Sequence, residues 1–454
     1  MNELKFVHDI ATDVASVGGR TFYVGGCVRD KLLGLESKDI DIEVYGITPD
    51  VLVNDILNRF GQVRLQGATF GVYRVAGYDV DIAFPRAENN VGKHHKDFTV
   101  SVDPDMSYEK ATSRRDFTIN AILEDVLTGE IIDCYGGQDD LKNKIIRHVN
   151  ANSFVEDALR VFRAAQFAAR FGFDIDVSTK ALMRGMDVMF LSKECVYEEM
   201  KKAMLLSPKP SRFFEELKDV NQLNFWFSEI LALYGCEQNP MYHPEGDVWV
   251  HTMQTLDYAV NCRDNVQCPE CFMLAVLCHD IGKPITSHTD VNGAIHAYRH
   301  EAEGVPVGRT FLHRITDNNF VIKYVLNMIE LHMDLPKMFS HDSRIKKSNA
   351  LFDKSICGHD LIYLSYCDTY DDWYYDDFDS KSMFLGWCQK RLEVYEYYMT
   401  LPQVTGEDLI SLGLQPSPLF SELLQKAHRL HLSCVDKDTV LRGFVTELRK
   451  KKLI

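Results

Sequence analysis

The run "DIDIEVYG" (39–46) sets two aspartates one residue apart among isoleucines. Side chains alternate along a strand, so Asp39 and Asp41 share one face while Ile40 and Ile42 take the other. Two neighbouring carboxylates repel unless a cation sits between them. A pair of Mg²⁺ ions about 3.5–4 Å apart gives the arrangement a use: one activates an attacking hydroxyl, the other steadies a leaving pyrophosphate. A bare D-x-D also describes an exposed edge strand with solvated charges, so the surroundings must decide. "VGG" (24–26) closes a strand at Gly25 and Gly26 and turns into "CVRDKLLG", a helix whose first N–H groups can face a triphosphate. Arg29 adds charge-assisted phosphate contacts. A further strand, "YDVDIAFPR", offers Asp79 and Asp81 on one face. Alternation does not choose between them; Asp81 is taken as the third carboxylate.

A second set of chemically capable residues lies downstream. "YHPEGDVWVHTM" and "LAVLCHDIGKPIT" supply His251 and the adjacent His279 and Asp280, followed by His300, His332 and Asp368. Imidazoles and carboxylates gathered in a helical domain suit a divalent transition metal, and such a metal can activate water against a phosphate ester. An isolated His-Asp dipeptide is more often a helix-end hydrogen bond. His243, His288 and His296 are set aside as ligands.

The elements that carry these groups follow from the hydrophobic patterning. Over the first 150 residues "TFYVGG", "IDIEVYG", "GQVRLQ", "GVYRVAGYDVDIAF" and "GEIIDCYGG" read as strands between turn residues, after an amphipathic helix at the start. From about Phe154 apolar residues recur at three- and four-residue steps, which predicts helices. A Pro/Gly break, "CEQNPMYHPEGD", precedes the His/Asp-rich helices, and a charged helical tail ends the chain. At 454 residues the chain has length for two to four domains. Its net charge of −16 argues against a protein that coats nucleic acid nonspecifically, yet leaves room for a local basic groove. No apolar run approaches the roughly 20 residues of a membrane helix. Twelve cysteines with a single C-x-x-C, Cys268 and Cys271, read as reduced thiols, and the expected compartment is the cytoplasm.

Taken in order, "GGCVRD…LLG…DID", "SRRDFTINAI", "DCYGGQDDLKNKIIRHV" and "EDALRVFRAAQFAARFGF" resemble the consecutive motifs of class II tRNA nucleotidyltransferases, the CCA-adding enzyme and bacterial poly(A) polymerase family. The likeness spans Phe22 to Phe173. It implies a multidomain chain: a polymerase-β-like α/β head (1–140), an all-α neck and body that selects nucleotide and binds tRNA (141–235), and helices beyond. It also implies that Asp39, Asp41 and Asp81 are catalytic with Mg²⁺, that Arg115 touches phosphate or sugar, and that Asp157, Arg160 and Arg163 read the base. Cytosine and adenine each present an exocyclic amine beside an unprotonated ring nitrogen, which a carboxylate and a guanidinium match. Guanine and uracil present the reverse, leaving both groups unpaired at a cost of several kcal/mol. The chain departs from the family pattern at Ala158, where many members have Pro, and at Gln166, where they carry a further arginine.

The order H…HD…H…H…D resembles the HD superfamily of metal-dependent phosphohydrolases. This implies an HD domain over 236–380 with a helical tail over 381–454, and a transition metal held by His251, His279, Asp280, His300, His332 and Asp368. The expected activity is addition of CCA to tRNA from CTP and ATP without a nucleic-acid template, with added phosphohydrolase activity. The alternatives are an A-adding enzyme, a poly(A) polymerase, or chiefly a nucleotide or cyclic-phosphate phosphohydrolase. Lys142, Lys144, Arg147, Lys201 and Lys202 are candidate contacts to the acceptor arm. The polar stretch 86–112 is a candidate flexible element for the change from CTP to ATP.

Overall fold

The computed structural model describes residues 2–37, 39–66, 71–90, 98–369, 378–451 and 453. The chain divides into two compact units, Met1–Trp226 and Phe227–Ile454. Trp226, the last residue of the first unit, donates its indole N–H to the Val188 carbonyl at 2.9 Å.

The first unit begins with α1 (Asn2–Ser16), β1 (Arg20–Val24), α2 (Gly26–Leu32) and β2 (Ile40–Tyr45). Then come β3 (Val63–Gln66), β4 (Val72–Val75), β5 (Val80–Ala83), β6 (Arg86–Asn90) and β7 (Phe98–Val102). Seven strands form one sheet in the order β3-β4-β5-β2-β1-β8-β9, where β8 is Leu123–Asp125 and β9 is Ile131–Ile132. The strand β8 carried no alternation to reveal it. The run "GVYRVAGYDVDIAF" forms two strands around a turn, because Gly77 takes φ +95 there. The polar stretch after β5 pairs as a β6–β7 hairpin with Arg86 opposite Val102; its tip, 91–97, lies outside the described residues.

Alternation along β2 decides which residues face the core. Ile42 and Val44 are fully buried against Phe6, Val7, Ile10 and Val14 of α1 and against Val80 and Ile82 of β5. Each such aliphatic side chain contributes about 1.5–3 kcal/mol by leaving water. Asp41 and Glu43 therefore emerge on the opposite face. Next come α3 (Tyr108–Thr112), α4 (Gly137–Asn143), α5 (Ala151–Phe154) and α6 (Leu159–Phe171), which ends at Gly172 with φ +68. The helix α6 buries Val161, Phe162, Ala165 and Ala168 and packs against the helices Lys193–Leu206 and Ser211–Asp219.

The second unit is helical apart from a small hairpin, Ser287–Thr289 paired with Ile295–Ala297. Its centre is the helix Pro269–Cys278, buried continuously from Cys271 onward. Around it stand the helices Val248–Ala259, His300–Ile315, Asn319–Leu331 and Gly358–Asp368. The C-terminal helices Pro418–His431 and Lys437–Lys450 close on their own apolar cluster, which includes Leu423, Val440 and Phe444. All twelve cysteines are free. Among the described residues no helix is long and apolar enough to cross a membrane.

Candidate active sites

In the first unit β2 and β5 run parallel with Asp41 directly beside Asp81. A cleft of about 310 Å³ is lined by Asp39, Ile40, Asp41, Arg74, Asp79 and Asp81. Burial, then the like charge of Asp81, pushes the Asp41 carboxyl up to about 6, against the pull of Arg115. The sheet register separates the two acids that alternation left equivalent. Asp81 sits on the strand with 34% of its side chain exposed, whereas Asp79 precedes the strand and is 71% exposed. Arg74, unnoticed in the sequence, is the counter-ion here: its Nε bonds Asp81 and its Nη1 donates to Asp79 at 3.1 Å. Three or four acids closing on one small cleft, with one half-exposed guanidinium among them, fit a divalent cation by charge and donor type.

The turn at Gly25 brings the rest of this site together. Gly25 takes φ 70 and ψ −128, and a Cβ there would stand 3.0 Å from Arg115 Nη1 and 4.0 Å from Asp41 Oδ2. Arg115 Nη2 donates to Glu43 Oε1 at 2.9 Å, and the Tyr45 hydroxyl donates to the other Glu43 oxygen at 3.0 Å. Glu43 lies two residues beyond Asp41 on the same strand face. It was legible in the alternation but not singled out. Arg29 does not line the cleft. Its guanidinium is buried, bonded to Asp30 at 2.8 Å and Asn120 at 2.8 Å, and it covers the rings of Phe167 and Phe171.

The base-reading candidates tie two motifs to each other. The helix α6 opens at Leu159, and the Asp157 carboxylate ahead of it accepts from the Leu159 N–H at 2.9 Å. Arg160 donates to the carbonyls of Ser153 at 2.9 Å and Arg114 at 2.7 Å. Arg163 donates through Nε and Nη2 to Asp116 Oδ2 at 2.8 and 2.6 Å. The other Asp116 oxygen accepts from the Phe117 N–H and the Asn120 amide. Burial alone would raise Asp116, but the Arg163 charge and these bonds outweigh it and hold the carboxyl at about 2. Gln166 is buried, and its Nε2 finds no hydrogen-bond partner among the described residues. Of the surface cations, Arg147 pairs with Asp140 and Asp176, Lys201 with Glu198 and Lys202 with Glu199.

In the second unit the expected histidines and aspartates converge. His279 Nε2 lies 3.3 Å from His251 Nε2 and 3.2 Å from Asp368 Oδ1, and His300 Nε2 lies 3.2 Å from His332 Nε2. Asp280 stands between the two pairs. Its Oδ2 is 3.3 Å from His279, and its Oδ1 is 3.3 Å from His300. The donors thus fall into two groups sharing Asp280: His251, His279, Asp280 and Asp368, and Asp280, His300 and His332. Each ring is turned by its other nitrogen. Nδ1 of His279, His300 and His332 bonds the carbonyls of Val276, Ala297 and Ile329, and Nδ1 of His251 bonds Glu245. With Nδ1 donating, each Nε2 faces inward, where a bound transition ion would take the place of its proton. Burial alone would lower His279, but the Asp280 and Asp368 charges outweigh it and hold it near 10. Burial and then His300 push His332 down to about 4. Lys283 Nζ forms an ion pair with Asp280 Oδ2 at 2.6 Å and donates to Gln238 Oε1 at 2.6 Å. Gly282 permits this convergence: a Cβ there would meet the His300 carbonyl at 2.1 Å.

Comparison with known proteins agrees with both halves. Residues 21–147 match the poly A polymerase head domain and residues 248–357 match the HD domain. The chain is 33% identical over 416 residues to the multifunctional CCA protein of Pasteurella multocida (strain Pm70), covering 89% of this chain and 94% of that protein. It is 36% identical over 339 residues to the multifunctional CCA protein of Actinobacillus pleuropneumoniae serotype 5b (strain L20), covering 73% and 80%. In fold it resembles the Bacillus stearothermophilus CCA-adding enzyme in complex with CTP (TM-score 0.69, 20% identity, 100% of this chain and 99% of that one). It also resembles the Thermotoga maritima CCA-adding enzyme complexed with tRNA (TM-score 0.60, 21% identity, 98% and 95%). A catalytic-type carboxylate cleft in the head and a histidine–aspartate cluster in the second unit, with sequence identity at this level along nearly the whole length, place the chain in the multifunctional CCA protein family.

Proposed function

We propose that this chain is a cytoplasmic tRNA nucleotidyltransferase that adds C, C and A to the tRNA 3′ end from CTP and ATP. The 3′-hydroxyl attacks the α-phosphate, the new P–O bond forms, and pyrophosphate leaves. The observation that carries the reading is the side-by-side pairing of Asp41 and Asp81, with Asp39 on the same cleft. Mg²⁺ held by Asp39, Asp41 and Asp81 would supply the charge that activates the hydroxyl and neutralises the departing pyrophosphate. Gly25, Gly26 and Arg115 border the phosphates, and Glu43 aims Arg115 at them. Arg29 acts at one remove, by fixing α2. Asp157, Arg160 and Arg163 orient the base, and the helical remainder of 141–235 holds the acceptor arm by charge and shape.

The second unit is a metal-dependent phosphohydrolase with two ion positions sharing Asp280, acting on nucleotide or cyclic phosphates. Bound there, divalent transition ions would lower the pKa of water for attack on phosphorus. Glu245 fixes the His251 ring, and Lys283 balances Asp280 and faces the same cleft. The test is a gel assay with Mg²⁺ and tRNA lacking its 3′ end. Growth by two nucleotides with CTP and by three with CTP and ATP supports the reading. Addition of A alone, or a long A ladder, moves the chain to another branch of the family, and no extension sinks the proposal.

A further inference from the structure

The cleft beside the histidine–aspartate cluster has a wall that the proposed hydrolysis does not use. It encloses about 440 Å³ and is lined by Asp280, His300 and Asp368 at the metal-binding end, and by His296, Tyr298 and Met333 elsewhere. That volume lies within the range of small-molecule sites. His296 and Tyr298 are stacked, with ring centroids 5.0 Å apart and planes 9° from parallel. His288, opposite His296 across the hairpin, lies 5.5 Å from Tyr298 and extends the aromatic surface. Asp290 holds the His296 ring through Nε2 at 3.3 Å.

Tyr298 keeps 65% of its surface exposed although it lines a cavity. A turn explains its placement. Arg299 takes φ 61, in the left-handed region, and His300 begins a helix directly after it. This reversal sets an aromatic residue and a metal-ligating imidazole two positions apart on one cavity. Met333, next in the chain after His332, lines the same space.

We infer that His296 and Tyr298 form a stacking platform for the base of a nucleoside phosphate whose phosphate group sits at the His300–Asp280 end. The inference rests on the phosphohydrolase reading of this site and adds what selects its substrate. Aromatic faces accept any base, so the platform distinguishes a nucleotide from a phosphate ester without a base, and discriminates weakly among bases.

The test measures equilibrium binding of 2′-AMP and of ribose 5-phosphate by calorimetry, and turnover of 2′,3′-cyclic AMP and glycerol 2-phosphate, on the metal-loaded full chain. The difference between wild type and Tyr298→Ala reads this cavity even if the first unit also binds nucleotide. Tyr298→Ala is expected to weaken 2′-AMP binding and raise KM for the cyclic nucleotide by about 5- to 150-fold. Ribose 5-phosphate binding and glycerol 2-phosphate turnover stay unchanged, and Tyr298→Phe retains wild-type behaviour. Unchanged 2′-AMP affinity in Tyr298→Ala, or equal loss for the base-free ligands, overturns the platform. Lost nucleotide binding preference in a protein that hydrolyses neither ester would instead refute the hydrolase reading and leave the platform standing.

Discussion

Replacing Asp116 by Asn tests whether one buried carboxylate locks the "RRD" segment to α6. Asp116 accepts both Arg163 bonds as well as those of Phe117 and Asn120. Its fall from the ordinary 3.8 to about 2 corresponds to about 2.4 kcal/mol of stability at neutral pH, or roughly 60-fold in an opening equilibrium. Because the folded value is depressed, this contribution is complete above 3.8 and is lost as the pH falls through about 2. At pH 3 about 1.3 kcal/mol of it remains. A two-unit chain need not unfold in one step, so the assay is local: hydrogen exchange of peptides covering 114–120 and 159–171, corrected for intrinsic rates. D116N is expected to exchange at least about 60-fold faster than wild type at pH 7, and the gap should narrow about sixfold at pH 3. The Arg163 guanidinium, left with Glu199 at 3.9 Å, can only widen the gap at neutral pH. No acceleration at pH 7, or a gap independent of pH, would refute the reasoning.

Two further outcomes separate the roles within each unit. Asp81→Asn is expected to lower CTP incorporation by about 10²–10³-fold while leaving phosphate-ester hydrolysis intact, whereas Asp79→Asn should stay within a few-fold of wild type; equal losses would undo the register argument. In the second unit, elemental analysis after gel filtration should find two transition ions per loaded chain, one in His332→Gln and none in Asp280→Ala; two ions retained in Asp280→Ala would count against a shared ligand.

How much of this was legible in the sequence depended on how far each residue's surroundings lie along the chain. The period of a strand belongs to the backbone, so the shared face of Asp39 and Asp41 could be read directly. The different placement of Asp81 and Asp79 could not, since it follows from where β5 starts pairing with β2. The surroundings of Arg29 were likewise out of reach. Its position in the first turn of α2 suggested phosphate, but Asn120, Phe167 and Phe171, far along the chain, enclose it. The helix at "EDALR" opens at Leu159 because Asp157 accepts the Leu159 N–H ahead of the helix. Residue type, together with the order H…HD…H…H…D, marked the histidines and aspartates of the second unit. Their division around Asp280 depends on ring orientations fixed by the Val276, Ala297 and Ile329 carbonyls, and those leave no trace in the sequence.

The pairing of Asp41 with Asp81 makes the sheet itself the ruler of the head site. The two acids stand forty positions apart in the chain, yet their separation is the strand spacing of about 4.8 Å, which backbone hydrogen bonds keep inelastic. Side-chain changes along the cleft, including loss of the Arg74 guanidinium, leave that spacing untouched. A single residue inserted into or removed from the turn between Val75 and Val80 does not, because a one-step slip of β5 turns Asp81 toward the apolar core and Ile82 toward the cleft. The strand spacing of the head site should therefore survive substitution of side chains around the cleft and fail on indels at the turn that sets the register of β5.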